Sequence, residues 1–270
     1  MSLPSPSYDS TAVVTGASSG IGEEIARELA GRGHGVTLVA RRADRLDVLA
    51  KELTAKGVRV EVLPADLSDP TARAELLDRI DGLGLEPDIL VNNAGFSTLG
   101  PVHRADPHAE LNLVEVDVAA VVDLCTRFLP GMVERGRGAV INVASTAAFQ
   151  PLPGQAAYGA AKAFVLSYTR ALTGELRGTG VTATAVCPGP VDTGFGEAAG
   201  FSKEDAEKTL PKVMWEPAGA VARAAVHGAD RGTAVVIPGQ ANRVGAMLAH
   251  LTPKRLLVPM LARNHPGLRQ

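Results

Sequence analysis

The chain has 270 residues, a formal charge of −2 at pH 7, 46% hydrophobic and 21% charged residues. A chain of this length buries roughly three quarters of its unfolded surface, so its core needs neither disulfides nor a metal. The near-neutral balance gives no support to nucleic-acid binding by the whole chain. The 29 glycines and 18 prolines imply many tight turns, yet fall short of the composition of disordered or collagen-like chains.

Residues 1–10 lack a basic n-region and an apolar core, so they read as a disordered leader and not as a signal peptide. Strands and helices then alternate. An apolar run at 11–15 is a strand, glycines follow, and 21–32 has helical spacing of Ile25, Ala26 and Leu29. A strand at 36–40, a helix at 43–56, a strand at 58–64 and a helix at 70–80 come next, the last opening on Pro70. Residues 88–95 form a strand that ends in a turn, and 111–135 reads as one long helix, apolar almost all round. A strand at 139–145, a helix at 155–177 and a strand at 181–189 follow. A looser segment, 190–216, precedes a helix at 217–229 and a last strand at 233–239. Brief, continuously apolar strands, each followed by a helix, imply a doubly wound α/β fold: a parallel sheet with helices on both faces. No linker divides the chain, so 11–239 reads as one domain.

The remainder, 240–270, holds Arg243, Lys254, Arg255, Arg263 and Arg269 and no acidic residue. It reads as a helical pair broken at Pro253, with Val244, Met247, Leu248 and Leu251 on one face and Leu256, Leu257, Met260 and Leu261 on another. Packing near a cleft or on a partner subunit is the plainer reading of this extension. Docking on an anionic membrane surface is the sharper one. The uncharged run 138–161 contains Asn142, Gln150, Gln155 and prolines, which suits a buried strand leading into a site and not a membrane span. Cys125 and Cys187 lie in apolar stretches and form no CxxC, as in a reduced, cytoplasmic protein. The six histidines show no metal-ligand spacing, so no metal is expected.

The first strand runs into Thr15-Gly16-Ala17-Ser18-Ser19-Gly20-Ile21-Gly22, a strand–turn–helix context suited to a phosphate. Asn92-Asn93-Ala94-Gly95 closes the fourth strand, Tyr158 and Lys162 share a helix face at i, i+4, and Ser145 ends the strand before that helix. With Pro188-Gly189 these motifs fall in one order, and the chain resembles the short-chain dehydrogenase/reductase family over about residues 10–240.

The resemblance implies a Rossmann fold with a seven-stranded parallel sheet. It also implies NAD(P)-dependent hydride transfer between a carbonyl and an alcohol. By position, Tyr158 is then the general acid/base, Ser145 orients the substrate oxygen, and Lys162 binds the nicotinamide ribose and lowers the tyrosine pKa. The glycine turn (Gly16, Ser18, Ser19, Gly20, Ile21, Gly22), Asp66, Leu67, Asn93, Ala94, Gly95, Pro188, Val191 and Thr193 are the implied cofactor contacts. Arg41 and Arg42, just past the second strand, stand where an NAD enzyme usually carries a carboxylate. Guanidinium groups pair with a 2′-phosphate, which favours NADP(H) over NAD(H).

Asp117, twenty-eight residues before Ser145, occupies a position where the family commonly has an asparagine. It is expected to stay ionised beside Lys162 as part of a proton relay. Phe195, Phe201, Leu210, Met214 and Trp215, joined by Phe96, Phe149 and Leu152, form a local concentration in a chain with 4% aromatics. They either line an apolar substrate pocket or pack the loop onto the core. The apolar faces of the helices at 111–135 and 155–177 imply a homodimer or homotetramer. The alternative from another class is a non-catalytic NADP-binding sensor or scaffold, for which an intact acid/base set would serve no purpose.

Overall fold

A computed structural model of the chain describes residues 3–198, 200 and 211–268. Its centre is a seven-stranded parallel sheet of order β3-β2-β1-β4-β5-β6-β7. The strands are β1 (Ser10–Thr15), β2 (Val36–Ala40), β3 (Val60–Pro64), β4 (Glu86–Asn92), β5 (Gly138–Val143), β6 (Val181–Val186) and β7 (Val235–Val236). The helices of eight residues or more are α1 (Gly20–Gly31), α2 (Ala43–Thr54), α3 (Pro70–Asp81), α4 (Pro107–Val114), α5 (Ala120–Glu134), α6 (Ala156–Glu175), α7 (Ala218–Asp230), α8 (Gln240–Leu251) and α9 (Lys254–Asn264) among the described residues.

Side chains alternate across a strand, so each central strand feeds two apolar layers. Val13, Leu90 and Val140 point to the layer of α3, α5 and α6, where they meet Leu76, Leu124, Phe128 and Val165. Val14, Ile89, Val91 and Ile141 point to the layer of α1, α2 and α7, with Ile25, Leu29, Leu46 and Val226. This is why the strands read as continuous apolar runs: both faces are buried. The strand order reverses between β1 and β4, and a crevice opens at their carboxyl ends, where doubly wound sheets bind ligands.

Four expectations need correction. The long helix of 111–135 begins earlier, at Pro107, where the Asp106 carboxylate accepts from the His108 N–H at 3.0 Å. It is then broken by a π-helical turn, Glu115–Ala119, before α5 resumes. One extra residue per turn swings Asp117 wholly inside, at 0% exposure. The leader is also partly placed: Leu3 is buried, its N–H donates to Asp230 Oδ1 at 3.2 Å, and Ser10 already belongs to β1. Finally, β7 pairs over two residues only, because Pro238 has no N–H to donate and Gly239 turns away at φ 80°. The strand at 88–95 stops at Asn92, which frees 93–95 to turn over the crevice.

A buried polar ladder braces the sheet behind that crevice. Asn92 Nδ2 donates to Asn142 Oδ1 at 2.8 Å, and Asn142 Nδ2 donates to Thr169 Oγ1 at 2.9 Å. Thr169 Oγ1 in turn donates to the Val165 carbonyl at 2.7 Å. The ladder joins β4, β5 and α6, the three elements that carry the site. Asn142→Ala would leave the Asn92 amide only its weak bond to Cys125 Sγ at 3.3 Å, so we expect a loss of about 1–3 kcal/mol in unfolding free energy. Urea denaturation measures it.

Candidate active site

β1 delivers the chain to a turn that only glycine can make. Gly16 and Gly20 take φ of 64° and 63°. A Cβ at Gly16 would sit 2.9 Å from Ala94 Cα, and one at Gly20 would sit 2.9 Å from Thr193 Cβ. The turn is therefore pressed between the 93–95 segment and Thr193, with the N-terminus of α1 at its end. Thr15 fixes this arrangement. Its hydroxyl donates to the Val91 carbonyl at 3.0 Å and accepts from the N–H groups of Asn93 and Ala94 at 2.9 and 3.0 Å. Asn93 Nδ2 returns a bond to the Thr15 carbonyl at 3.0 Å.

The crevice is a cavity of about 860 Å³. Gly16, Ser18, Ser19, Gly20 and Ile21 form one wall, and Asn93, Ala94 and Gly95 another. Pro188, Val191 and Thr193 close it from the β6 side, and Ser145, Tyr158 and Lys162 stand at its depth. Gly22 is not among the lining residues; it packs behind the turn, against Asn93 and the Gly16 carbonyl. Asp66 and Leu67 line the end beyond β3. Burial pushes the Asp66 carboxyl up, but hydrogen bonds from the Ser68 N–H and hydroxyl and the nearby Arg41 outweigh it, so it lies below its ordinary value. Arg73, itself buried, holds the Leu67 carbonyl at 2.7 Å while pairing with Glu115 and Asp123.

Arg41 and Arg42 flank the same cavity, and Arg45 joins them from the first turn of α2. Arg42 donates to the hydroxyls of Ser18 and Ser19 at 2.8 Å each. The glycine cradle, the helix terminus and three guanidinium groups fit the phosphates of a dinucleotide. Arg45 escaped the sequence reading because Asp44 beside it suggested an ordinary helix start.

Tyr158 and Lys162 share a face of α6, with the ammonium 5.6 Å from the centre of the phenol ring. Ser145 begins a 3₁₀ turn and accepts from the Ala147 N–H at 3.1 Å. That turn is tied to the end of β6 by a 2.8 Å bond from the Thr146 N–H to the Pro188 carbonyl. Lys162 Nζ lies 3.2 Å from the Val143 carbonyl and 2.9 Å from Asp117 Oδ2. Asp117 Oδ1 accepts from the Phe96 N–H at 3.0 Å. Gly95 permits this, since a Cβ there would come within 2.9 Å of the Asp117 carboxylate. Asp117 thus touches Lys162 from behind the cavity and does not line it.

Burial opposes the charged form of Asp117, Tyr158 and Lys162 alike. The Asp117 carboxyl is pushed above its ordinary value by desolvation, which Lys162 only partly offsets. The Tyr158 phenol is likewise pushed up by burial, with Lys162 and Ser145 drawing it down and the Asp117 charge raising it further. Lys162 is lowered by burial but raised more by Asp117 and Tyr158, so it stays a cation.

Beyond Tyr158 the cavity is lined by Phe96, Leu152, Phe195, Met214 and Trp215. The Phe195 ring lies 5.7 Å from that of Tyr158. Phe149 follows the other alternative and packs into the α6 layer under Arg170. Phe201 and Leu210 lie outside the described residues. The C-terminal segment supplies a side chain that sequence reasoning missed. His265, buried, lines the cavity and meets Gln155 Oε1 at 3.2 Å, and Gln155 Nε2 donates to Ser97 Oγ at 2.6 Å. No local motif announces a contact 110 residues apart in the chain.

Fold and site together define an oxidoreductase built around a nicotinamide dinucleotide. A family model described as short chain dehydrogenase matches residues 10–203. The chain is 39% identical over 190 residues to a short chain dehydrogenase of Pseudocercospora fijiensis, which covers 69% of this chain and 61% of that one. It is 35% identical over 225 residues to the NADP-dependent 3-hydroxy acid dehydrogenase YdfG of Salmonella typhi, covering 80% of this chain and 90% of that protein. Among solved structures, a short-chain dehydrogenase from Sphingobium yanoikuyae in complex with NADPH is similar with a TM-score of 0.78 and 36% identity, covering 92% and 95% of the two chains. The chain belongs to the short-chain dehydrogenase family.

The Asp117 charge raises the Tyr158 pKa directly, but it also holds Lys162 cationic, and the Lys162 charge lowers the Tyr158 pKa by more than Asp117 raises it. Asp117→Asn is therefore expected to let the buried lysine shed its proton and to move the rising limb of the alcohol-oxidation profile towards alkali, with kcat/KM near neutrality reduced. A kcat/KM–pH series for both proteins measures the shift.

Proposed function

We propose that the chain works with NADP(H) in preference to NAD(H), on the carbonyl or secondary alcohol of an apolar small molecule. In this reading Tyr158, Ser145 and Lys162 carry the acid–base chemistry. The observation that carries it is the convergence of the three at the depth of one cavity, with the lysine held cationic. The nicotinamide, when bound, supplies or accepts the hydride. In the reducing direction the Tyr158 hydroxyl gives its proton to the oxygen that was the carbonyl, while the Ser145 hydroxyl donates a hydrogen bond to the same oxygen. In the oxidising direction the Tyr158 phenolate takes the alcohol proton. Lys162 stabilises that phenolate, and the positive charge of an oxidised nicotinamide ring would add to its effect.

The Phe96, Phe195, Met214 and Trp215 wall supports an apolar substrate body, with Gln155 and His265 as polar groups at its far side. Leu111 and Val114 on α4 and Phe164 on α6 stay exposed, which supports a homodimer or homotetramer that covers them. Both cysteines are buried and free, which supports the cytoplasm as the compartment.

Two experiments test this reading. Tyr158→Phe removes the transferable proton and leaves the cleft intact, so turnover of a ketone panel is expected to fall by at least about a thousandfold. NADPH binding, read by fluorescence, is expected to stay near wild type; a Phe variant with near wild-type kcat would place the acid/base elsewhere. Replacing Arg41, Arg42 and Arg45 by alanine is expected to raise KM for NADPH by about tenfold or more and to change that for NADH little. Equal loss with both cofactors would show that the arginines do not read a 2′-phosphate.

A further inference from the structure

The helical pair α8–α9 is built inside out on its outer side. Its inward positions are already occupied. Asn242, Ala246, Ala249 and Leu257 are buried, and Asn242 Nδ2 donates to the carbonyls of Met214 and Pro238 at 3.0 and 3.1 Å. Lys254 Nζ closes the junction between the helices on the Ala249 carbonyl at 2.8 Å. Yet Val244, Met247, Leu248 and Leu251, at i, i+3, i+4 and i+7 of α8, are 52%, 55%, 56% and 69% exposed. On α9, Leu256 and Met260 are 62% and 56% exposed. This outward stripe, on a helix whose other face is docked, is left uncovered by the described residues.

Charge identifies the occupant. Arg243 precedes the α8 stripe, Arg255 adjoins Leu256, and Arg263 lies three residues past Met260, each of them exposed. From Gln240 to Gln270 the sequence has no aspartate or glutamate. Two copies meeting through this face would oppose like charges. An anionic lipid surface complements them, and arginine stems extend along apolar surface while their heads reach the phosphates. At 12 and 11 residues the two helices are too short to span a bilayer, which needs about 20. Among the described residues no helix is long and apolar enough to cross a membrane. We propose that α8 and α9 form a docking face that lies in the interface of an anionic bilayer, with the apolar stripe down and the arginines at headgroup level. The proposal does not depend on which substrate the cavity takes.

Flotation of the full chain tests it, with vesicles of phosphatidylcholine alone and of phosphatidylcholine with 30% phosphatidylglycerol, a composition chosen to add roughly physiological negative charge. The expected result is binding to the anionic vesicles, weakened by 0.5 M salt, a level at which screening is strong (on the order of a few Å). Leu248→Ser/Leu251→Ser is expected to abolish binding, and Arg255→Gln to weaken it about fivefold. Both variants alter exposed side chains outside the catalytic machinery, and unchanged NADPH binding certifies their folding. Absence of binding to either vesicle overturns the proposal. So does binding that the serine variant leaves unchanged, or a dimer by light scattering that the serine variant converts to monomer, which would make the face an interface between copies.

Discussion

A lysine ammonium sealed inside a protein sheds its proton unless something nearby holds the charge, and the site is organised around doing so. Lys162 is 5% exposed. Asp117 stands at 2.9 Å and the Val143 carbonyl, the last of β5, at 3.2 Å. The carboxylate reaches that place only because the helix loosens into a π-turn at Glu115–Ala119 and because residue 95 has no side chain. Burying a pair of charges is costly, and an ion pair of this kind is weak evidence for stability. Its retention in the interior makes sense as chemistry: it keeps one positive charge beside a phenol that burial would otherwise leave inert.

The surroundings serve the same end. The Asn92–Asn142–Thr169 ladder fixes β4, β5 and α6 relative to one another with neutral hydrogen bonds, so rigidity at the site does not rest on further buried charge. Ser145 is held by the bond from Thr146 to Pro188, which places the serine between the ends of β5 and β6. On the other side of the cleft, Thr15 and Asn93 bind the glycine turn to the end of β4. The glycine turn and the Ser145–Tyr158–Lys162 cluster are thus attached to adjacent strands of one sheet, and neither depends on a long loop. The substrate end differs: it is walled by the segment after β6 and by the C-terminal His265, the parts of a chain most free to vary.

Much of this was legible in the residues. The alternation of apolar strands and amphipathic helices reflects burial on both faces of the sheet, and local spacing records that directly. Gly16, Gly20, Tyr158 and Lys162 were legible for the same reason, since a tight turn and a shared helix face are short-range properties. The π-turn was not, because Val114, Val116 and Val118 continue the apolar pattern through it and the extra residue answers to Lys162, forty-five positions on. The pairing of Asp117 with Lys162 could be anticipated, but the depth of their burial could not. Residues 3–10 looked like a leader because Leu3 is the only large apolar side chain between Met1 and Tyr8, and its burial beside Asp230 is a tertiary event. Arg45 and His265 reach the cavity through the orientation of α2 and the path of α9.

In this reading burial holds the Tyr158 phenol high, and positive charge, aided by the Ser145 hydroxyl, brings it down to a working range. The chain has three tyrosines. Tyr8 is 83% exposed, and burial pushes Tyr168 up to about 12. Nuclear magnetic resonance of the protein with 13C at the tyrosine ζ carbon, titrated with and without NADP+, follows each directly, with Tyr158→Phe to assign the signal. The account predicts that Tyr158 titrates above the ordinary value of about 10 in the free protein and falls when NADP+ binds. A Tyr158 that titrates below that value without cofactor, or that NADP+ does not move, would contradict it.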